Sequence, residues 1–508
     1  MTALRPTTGR PGGSRLASAE PGRPNPADRG AAGQDARIAA GPAERLGGLV
    51  QADTSPGDRL AAVTVAVPAV DPISLVAAAL EADLETALWL RPSEGTALVG
   101  IGRVWAIEAA GPGRFRAAEA AWQALVRTAR IDRPSTSGRA AGPLLLGGLG
   151  FSGRTPAVDD VWAPFGASSL VLPELLLSVG PDGATVTASV VGAAGADPGA
   201  LEALWEALLG RARSLAPSPT GMVARPVFAP LDTAAEQPTR DGFRRLVGMF
   251  AGAVGRGRID KVVLARRVDL RSPVELDVPN ALRRLAASAP ESTTYAFRRD
   301  GRMFIGATPE RLVRTEGRAF RTVAVAGTTR RGADAAEDAT LARELLASEK
   351  DREEQAIVVA GIRDLLAGLS DDLAIASEPS VRTLRFVQHL VTEISGTVSD
   401  GHGLLALAER LHPTPAVGGE PRDVALALID EHEGFDRGWY AGPIGWLGAD
   451  GDGELCVALR CGVVERTRAS LFAGCGIVAD SVPDHEWEES RIKLRAVESA
   501  LGIPVDEP

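Results

Sequence analysis

Glu486, Glu489 and Lys493 lie near the C-terminus in the stretch Ser481-Val-Pro-Asp-His-Glu-Trp-Glu-Glu-Ser-Arg-Ile-Lys-Leu. Ser481 as a cap, Pro483 in the first turn and Asp484 just behind it are start signals, and the pattern predicts a helix running to Leu501. At roughly 100° per residue the three side chains fall at about 0°, 300° and 340°, so two carboxylates and one ammonium share a face. By itself that is an ordinary solvated face with an i,i+4 Glu–Lys pair. The approach to it changes the reading. Leu471-Phe-Ala-Gly474-Cys-Gly476-Ile-Val-Ala-Asp480 is an apolar strand whose glycines let backbone amides come close to an anion. A second acid-rich segment, Ser348-Glu-Lys-Asp-Arg-Glu-Glu-Gln355, precedes the apolar run Ala356 to Ala360 and is suited to supply a third carboxylate. An oxygen-only donor set without His or Cys suits Mg²⁺.

The elements that must position these groups read as a mixture. Apolar runs at Ala61–Val70, Thr96–Ala106, Leu144–Phe151 and Ser168–Val179, broken by Gly and Pro, read as strands. Helical patterns cover Arg114–Ala129, Asp197–Ala216, Ala281–Ser288 and Asp338–Leu369. Regular strand–helix–strand alternation is missing, so an α+β class with largely antiparallel sheets is expected. Gly148-Leu-Gly-Phe-Ser-Gly153 has the GxGxxG spacing of a dinucleotide-binding turn, but Pro156 and Pro164 follow and no helical period begins there. The Walker A, HExxH and GxSxG patterns do not occur.

Composition bounds the class. The chain has 508 residues, 45% apolar and 24% charged, which fits a globular protein with a substantial core. Lys plus Arg number 55 against 65 Asp plus Glu, a net charge of −10 that disfavours nucleic acid as a partner. Three cysteines, Cys456, Cys461 and Cys475, show no CxxC spacing, which fits a reducing cytoplasm. No apolar leader or run of about 18 apolar residues appears, so neither secretion nor a membrane span is expected. Residues 1–60 hold ten Gly and seven Pro, and the first aromatic residue is Trp89; this segment reads as a disordered extension.

Taken together the motifs resemble the chorismate-utilising enzymes, the family of isochorismate, salicylate, anthranilate and aminodeoxychorismate synthases. Six blocks in family order carry the resemblance: Ile259-Asp-Lys-Val-Val-Leu-Ala-Arg266, Phe304-Ile-Gly-Ala-Thr-Pro-Glu-Arg-Leu312, Ala326-Gly-Thr328, Arg385-Phe-Val-Gln-His-Leu390, Leu411-His-Pro-Thr-Pro-Ala-Val-Gly-Gly419 and Gly474-Cys-Gly-Ile-Val-Ala-Asp-Ser481. Leu88-Trp-Leu-Arg-Pro92 and Leu98-Val-Gly-Ile-Gly102 extend it more loosely toward the N-terminus. The resemblance implies one chorismate-binding domain over 61–508, with a looser part at 61–235 and the catalytic motifs at 236–508. Two facing antiparallel sheets would carry helices outside. It further implies Mg²⁺ held by Glu354, Glu486 and Glu489 against the ring carboxylate of chorismate. Arg460, Tyr440, Lys493 and the amides around Gly474 and Gly476 would meet the side-chain carboxylate. Two positions depart from the family pattern: Cys475 where Ala is usual, and Gln355 where His commonly follows the metal-binding Glu.

Within this family the nucleophile separates the branches, and the branches that add water at C2 carry a lysine at the position of Lys261 and a glutamate at that of Glu310. By resemblance Lys261 is the base for water and Glu310 the acid for the C4 hydroxyl. Both need shifted pKa values, since solvated Lys and Glu titrate near about 10.4 and 4.3. His389 would lie near the C4 hydroxyl, with Gly327 and Thr328 shaping the ring pocket. Ala416 leans toward isochorismate synthases, where salicylate synthases tend to carry Thr. Salicylate synthase, with pyruvate elimination following isochorismate formation, stays open, as does a non-catalytic chorismate-binding protein. The resemblance implies a monomer without a glutaminase subunit. The product would serve menaquinone or siderophore biosynthesis.

Overall fold

Strand Lys261–Arg271 is where the fold meets the chemistry, because Lys261 is its first residue and the apolar run Val262 to Ala265 behind it is buried. In the computed structural model the described residues are 49–52, 58–133, 140–192, 206, 232–370, 372–383 and 387–503. They all belong to one compact unit. Lys261–Arg271 pairs with Arg468–Ile477 on one side and with Asp232–Gln237 and the short Gly419–Glu420 on the other. From Arg468–Ile477 the sheet continues through Cys461–Glu465, Arg302–Thr308, Thr293–Arg299, Thr86–Arg91, Thr96–Ile101, Leu175–Gly180 and Gly183–Gly192 to Arg59–Val67.

The second sheet runs from Leu49–Ala52 through Trp105–Ala110, Ser168–Leu172, Leu144–Leu149, Pro443–Gly448, Gly453–Val457 and Arg311–Glu316 to Ala319–Arg330 and Val387–Thr397. Among the described strands of both sheets only Arg59–Val67 and Arg130–Asp132 pair in parallel. The α+β class with two largely antiparallel sheets is what the sequence led us to expect. Both sheets mix early and late strands: Thr86–Arg91 pairs with Thr293–Arg299, and Leu144–Leu149 with Pro443–Gly448. The looser N-terminal part is therefore woven into the same layers as the motif-bearing part. One apolar core joins the two, and Trp162, Phe165, Phe304, Trp439 and Phe472 stack edge-on or tilted within it at centroid distances of 5.0–6.2 Å.

Several sequence expectations change in detail. Leu49–Ala52 is a strand paired with Trp105–Ala110, so regular structure begins inside the segment read as an extension, most of which lies outside the described residues. The helix expected over Asp197–Ala216 also falls outside them, apart from Glu206. Thr96–Ala106 and Ser168–Val179 each divide into two strands. The expected helix Asp338–Leu369 is two helices, Ala335–Ala347 and Glu349–Leu366, because Ser348 adopts an extended backbone and caps the second through Asp351 N–H. Helix Pro483–Leu501 forms as expected, but its cap residue is Val482, and the Ser481 hydroxyl instead accepts from Val478 N–H at 3.1 Å. At the GxGxxG run no helix begins. A methyl group on Gly148 would lie 2.5 Å from the Trp439 ring, so the glycine serves packing. No described helix is long and apolar enough to cross a membrane.

Buried polar ties fix the strand against its neighbours. Glu433 and Arg437 form an ion pair with side chains 2% and 3% exposed. Arg437 also donates to the carbonyls of Val263 and Val417, each at 2.8 Å, and Glu433 accepts from Ala265 N–H at 2.8 Å. Replacing Arg437 with Met leaves the Glu433 charge buried without a partner. We expect Arg437→Met to lower unfolding free energy by about 3–5 kcal/mol in urea denaturation, whereas Arg437→Met/Glu433→Leu recovers a large part of that loss.

Candidate active site

The register of Lys261–Arg271 on Arg468–Ile477 places Val263 opposite Gly476 and Ala265 opposite Gly474. Alternation along the second strand turns both glycines to one face and Cys475 to the other. On the glycine face a methyl group at Gly476 would lie 2.6 Å from Lys261 Cε and 3.3 Å from its Nζ. One at Gly474 would lie 2.9 Å from the Tyr440 hydroxyl. The glycines therefore leave the space that the lysine stem and the phenol occupy. Tyr440 is buried and stacks on Phe472 at 5.5 Å. Lys493, from helix Pro483–Leu501, donates to the Gly474 carbonyl at 2.8 Å and pairs with Glu489 at 2.6 Å.

Glu310 occupies the turn between Arg302–Thr308 and Arg311–Glu316, and its backbone is tied down on both sides. Its N–H donates to Thr308 Oγ1 at 3.2 Å and its carbonyl accepts from Val457 N–H at 2.9 Å, while Thr308 Oγ1 donates to the Val457 carbonyl at 2.6 Å. Only the carboxyl is left free to act. Burial pushes the Glu310 carboxyl above the usual range, against the opposing pull of Arg460, Lys261, Lys493 and the Thr414 hydroxyl. Burial pushes the Lys261 ammonium below its usual range, Lys493 adds to that, and Glu354, Glu310 and Glu489 oppose it. The acid is shifted up and the amine down in one shared field. Arg460 sits in the same field with Tyr440, Glu310 and Glu489 as its charge partners, on a left-handed backbone with φ +50°.

Thr328 and His389 are cross-strand neighbours, joined Oγ1 to Nδ1 at 2.8 Å. A bulge between Ala326 and Thr328 puts Gly327 at φ +71°, and a methyl group there would meet Asp351 Oδ1 at 3.1 Å. Asp351 is a carboxylate of this corner that the sequence pattern did not single out. Burial lowers the His389 pKa, Arg382 and Arg460 lower it further, and a Gly327 backbone hydrogen bond opposes them; the imidazole is therefore neutral at pH 7. Arg385 and Phe386 of the same block lie outside the described residues. In the turn after His412, Ala416 is exposed, and the residue that meets Glu310 is Thr414.

Of the three expected metal-binding acids, the structure draws two together. Carboxylate oxygens of Glu486 and Glu489 and the sulfur of Cys475 all lie within 4.8 Å of one another. Glu354 is on helix Glu349–Leu366, exposed, and it is the leading charge partner of Lys261. Burial raises the Glu486 carboxyl and repulsion from Glu489 raises it further, with Ser481 and Lys493 opposing. Burial pushes the Cys475 thiol up to about 12, so it stays protonated, and its sulfur donates to the Glu486 carbonyl at 3.2 Å. Gln355, in place of the family His, is buried and donates to the Ala324 carbonyl at 3.0 Å and Thr392 Oγ1 at 2.8 Å, a packing role.

A two-sheet fold with a dehydrated lysine–glutamate pair and a carboxylate cluster at one strand end defines a class, and comparison identifies it: residues 48–502 match the model of the chorismate binding enzymes, and the chain belongs to that family. Among individual relatives, it is 37% identical over 460 residues to the salicylate biosynthesis isochorismate synthase of Pseudomonas aeruginosa, covering 90% of this chain and 93% of the other. It is 32% identical to the isochorismate synthase MenF of Bacillus subtilis, covering 82% and 87%. The solved menaquinone-specific isochorismate synthase MenF of Escherichia coli superposes with a TM-score of 0.70 at 26% identity, covering 88% of this chain and 95% of that one.

The glycine face yields a prediction. Gly476→Ala forces the Lys261 side chain aside, at little structural cost because the stem is flexible. Displacing a catalytic group by about 1 Å costs roughly 10²-fold. We expect Gly476→Ala to lower kcat by about that factor while its thermal midpoint stays near that of the wild type.

Proposed function

We propose that the protein is an isochorismate synthase, converting chorismate reversibly to isochorismate. The observation that carries this reading is the pair Lys261 and Glu310, one amine and one carboxyl in each other's field, each shifted by burial toward its neutral form. Neutral Lys261 takes a proton from a water molecule as its oxygen bonds to C2 of the ring. The double bonds shift, the C4–oxygen bond breaks, and protonated Glu310 gives its proton to the departing hydroxyl, which leaves as water. One water enters and one leaves, so the reaction is an isomerisation, and in reverse Glu310 is the base and Lys261 the acid.

Chorismate brings two carboxylates. Arg460, Lys493 and the Tyr440 hydroxyl suit the one on the side chain, because a guanidinium fork and an ammonium match carboxylate oxygens. Neutral His389, held by Thr328, is suited to hydrogen-bond the C4 hydroxyl. The acids Glu486 and Glu489 fit Mg²⁺: their donors are oxygen, the neighbouring thiol stays protonated, and the mutual repulsion that raises Glu486 is what a cation relieves; Glu354, on helix Glu349–Leu366, would be the third acid. When bound, Mg²⁺ supplies charge neutralisation for the ring carboxylate. The names of the relatives span both menaquinone and salicylate biosynthesis, and the chemistry of the site is common to both.

Three measurements check this. Incubated with chorismate and Mg²⁺ without ammonium, the protein should yield isochorismate in equilibrium with chorismate. Salicylate and pyruvate would instead mark the salicylate branch, and unchanged chorismate would remove the reading. Lys261→Gln and Glu310→Gln should each lower kcat by about 10²–10⁴-fold. For the metal, Glu486→Gln/Glu489→Gln should abolish Mn²⁺ binding seen by electron paramagnetic resonance, which reads the site independently of turnover.

The pH dependence follows from the shifts. A lysine lowered by burial gains its base function as pH rises through its folded pKa, which lies below the usual value near about 10.4. A glutamate raised by burial loses its acid function as pH rises through a pKa above the usual value near about 4.3. The kcat/KM profile should therefore be bell-shaped, with both limbs displaced inward from those solvated values. Limbs at the solvated values would contradict the assignment.

A further inference from the structure

Thr414 lies in the turn that follows the cis His412–Pro413 bond, and its carbonyl accepts from the N–H groups of Val417 and Gly418 at 3.1 and 2.9 Å. Its hydroxyl oxygen is sealed from solvent and makes no well-formed hydrogen bond. A buried hydroxyl left unpaired loses its water without compensation and is normally avoided. This one faces the Glu310 carboxyl. The turn cannot drift away, since Arg437 grips the Val417 carbonyl at 2.8 Å and Gly418 accepts from Val263 N–H at 2.9 Å. Glu310 in turn has its backbone fixed by Thr308 and Val457, leaving the carboxyl rotation as the freedom still to be set.

We infer that Thr414 is a positioning residue for the acid step, donating its hydroxyl hydrogen to one oxygen of the Glu310 carboxyl so that the proton sits on the other oxygen, facing the C4 hydroxyl. This rests on the isochorismate synthase reading. A carboxylic acid has two oxygens that differ only by where the proton is, and a fixed donor to one of them removes the ambiguity. As Glu310 releases its proton to the departing hydroxyl, it becomes a carboxylate. The Thr414 hydrogen bond then becomes charge-assisted and strengthens in the transition state, which lowers the barrier rather than tightening substrate binding. The groups facing Glu310 are otherwise cationic, Arg460, Lys261 and Lys493, and each has a competing role in the cleft.

Thr414→Val keeps the branched shape of the turn and removes the donor; Thr414→Ser keeps the donor. With full-length protein, chorismate and Mg²⁺, we expect Thr414→Val to lower kcat by about tenfold with KM unchanged, the scale of one hydrogen bond to a charged group. Because the hydroxyl stabilises the charged carboxylate, its loss should also move the Glu310 limb of the pH profile to higher pH. Thr414→Ser should restore both. Wild-type kcat and pH profile in Thr414→Val would overturn the inference, as would equal impairment of Thr414→Ser, which marks a packing role. Thr414→Ala carries the same expectations should the valine variant not fold. Absence of isochorismate formation by the wild type itself would instead sink the functional reading.

Discussion

The buried pair of Glu433 and Arg437 holds together three segments that have no local reason to meet. Arg437 reaches the Val263 carbonyl on the lysine-bearing strand and the Val417 carbonyl in the turn that carries Thr414, while Glu433 accepts from Ala265 N–H. In a site removed from water such a pair must satisfy nearly every donor and acceptor it brings, and this one does so with backbone groups of the elements it joins. Its carbonyl partners are those of the strand that begins with Lys261 and of the turn that faces Glu310. The placing of Lys261 relative to the turn that faces Glu310 therefore depends on this buried charge pair.

The second constraint is backbone alternation along Arg468–Ile477. Gly474 and Gly476 fall on the face occupied by Tyr440 and Lys261, and any side chain there would displace them. Cys475, between them, points to helix Pro483–Leu501 and hydrogen-bonds the Glu486 carbonyl. One strand thus makes room for Lys261 and Tyr440 with the side chains it lacks and supports the acid-bearing helix with the one it has. Burial keeps the Cys475 thiol protonated there.

Electrostatic opposition then supplies the chemistry. Burial alone would leave Lys261 and Glu310 both neutral, and their mutual attraction alone would leave both charged; the structure holds them between those limits. Arg460, Lys493, Glu354 and Glu489 set the balance from surrounding elements, and that opposition is what the proposed base and acid roles require.

The sequence by itself determined the chemical inventory and the class. The Lys261 and Glu310 blocks, the Glu486–Glu489–Lys493 face and the glycine strand were all legible, since helical and strand periods fix which side chains share a face within one element. The two-sheet α+β architecture was legible too, from short apolar runs without regular alternation. Tertiary structure alone decided what meets across elements. It grouped Glu486 and Glu489 with Cys475 while leaving Glu354 on another helix, brought Asp351 to the Gly327 bulge, and turned Thr414 toward Glu310. It also split Asp338–Leu369 at Ser348, because a capping hydroxyl there outweighs a continuous apolar period. Those outcomes depend on strand register and long-range burial, which bring together residues tens to hundreds of positions apart and leave no periodic trace in the chain.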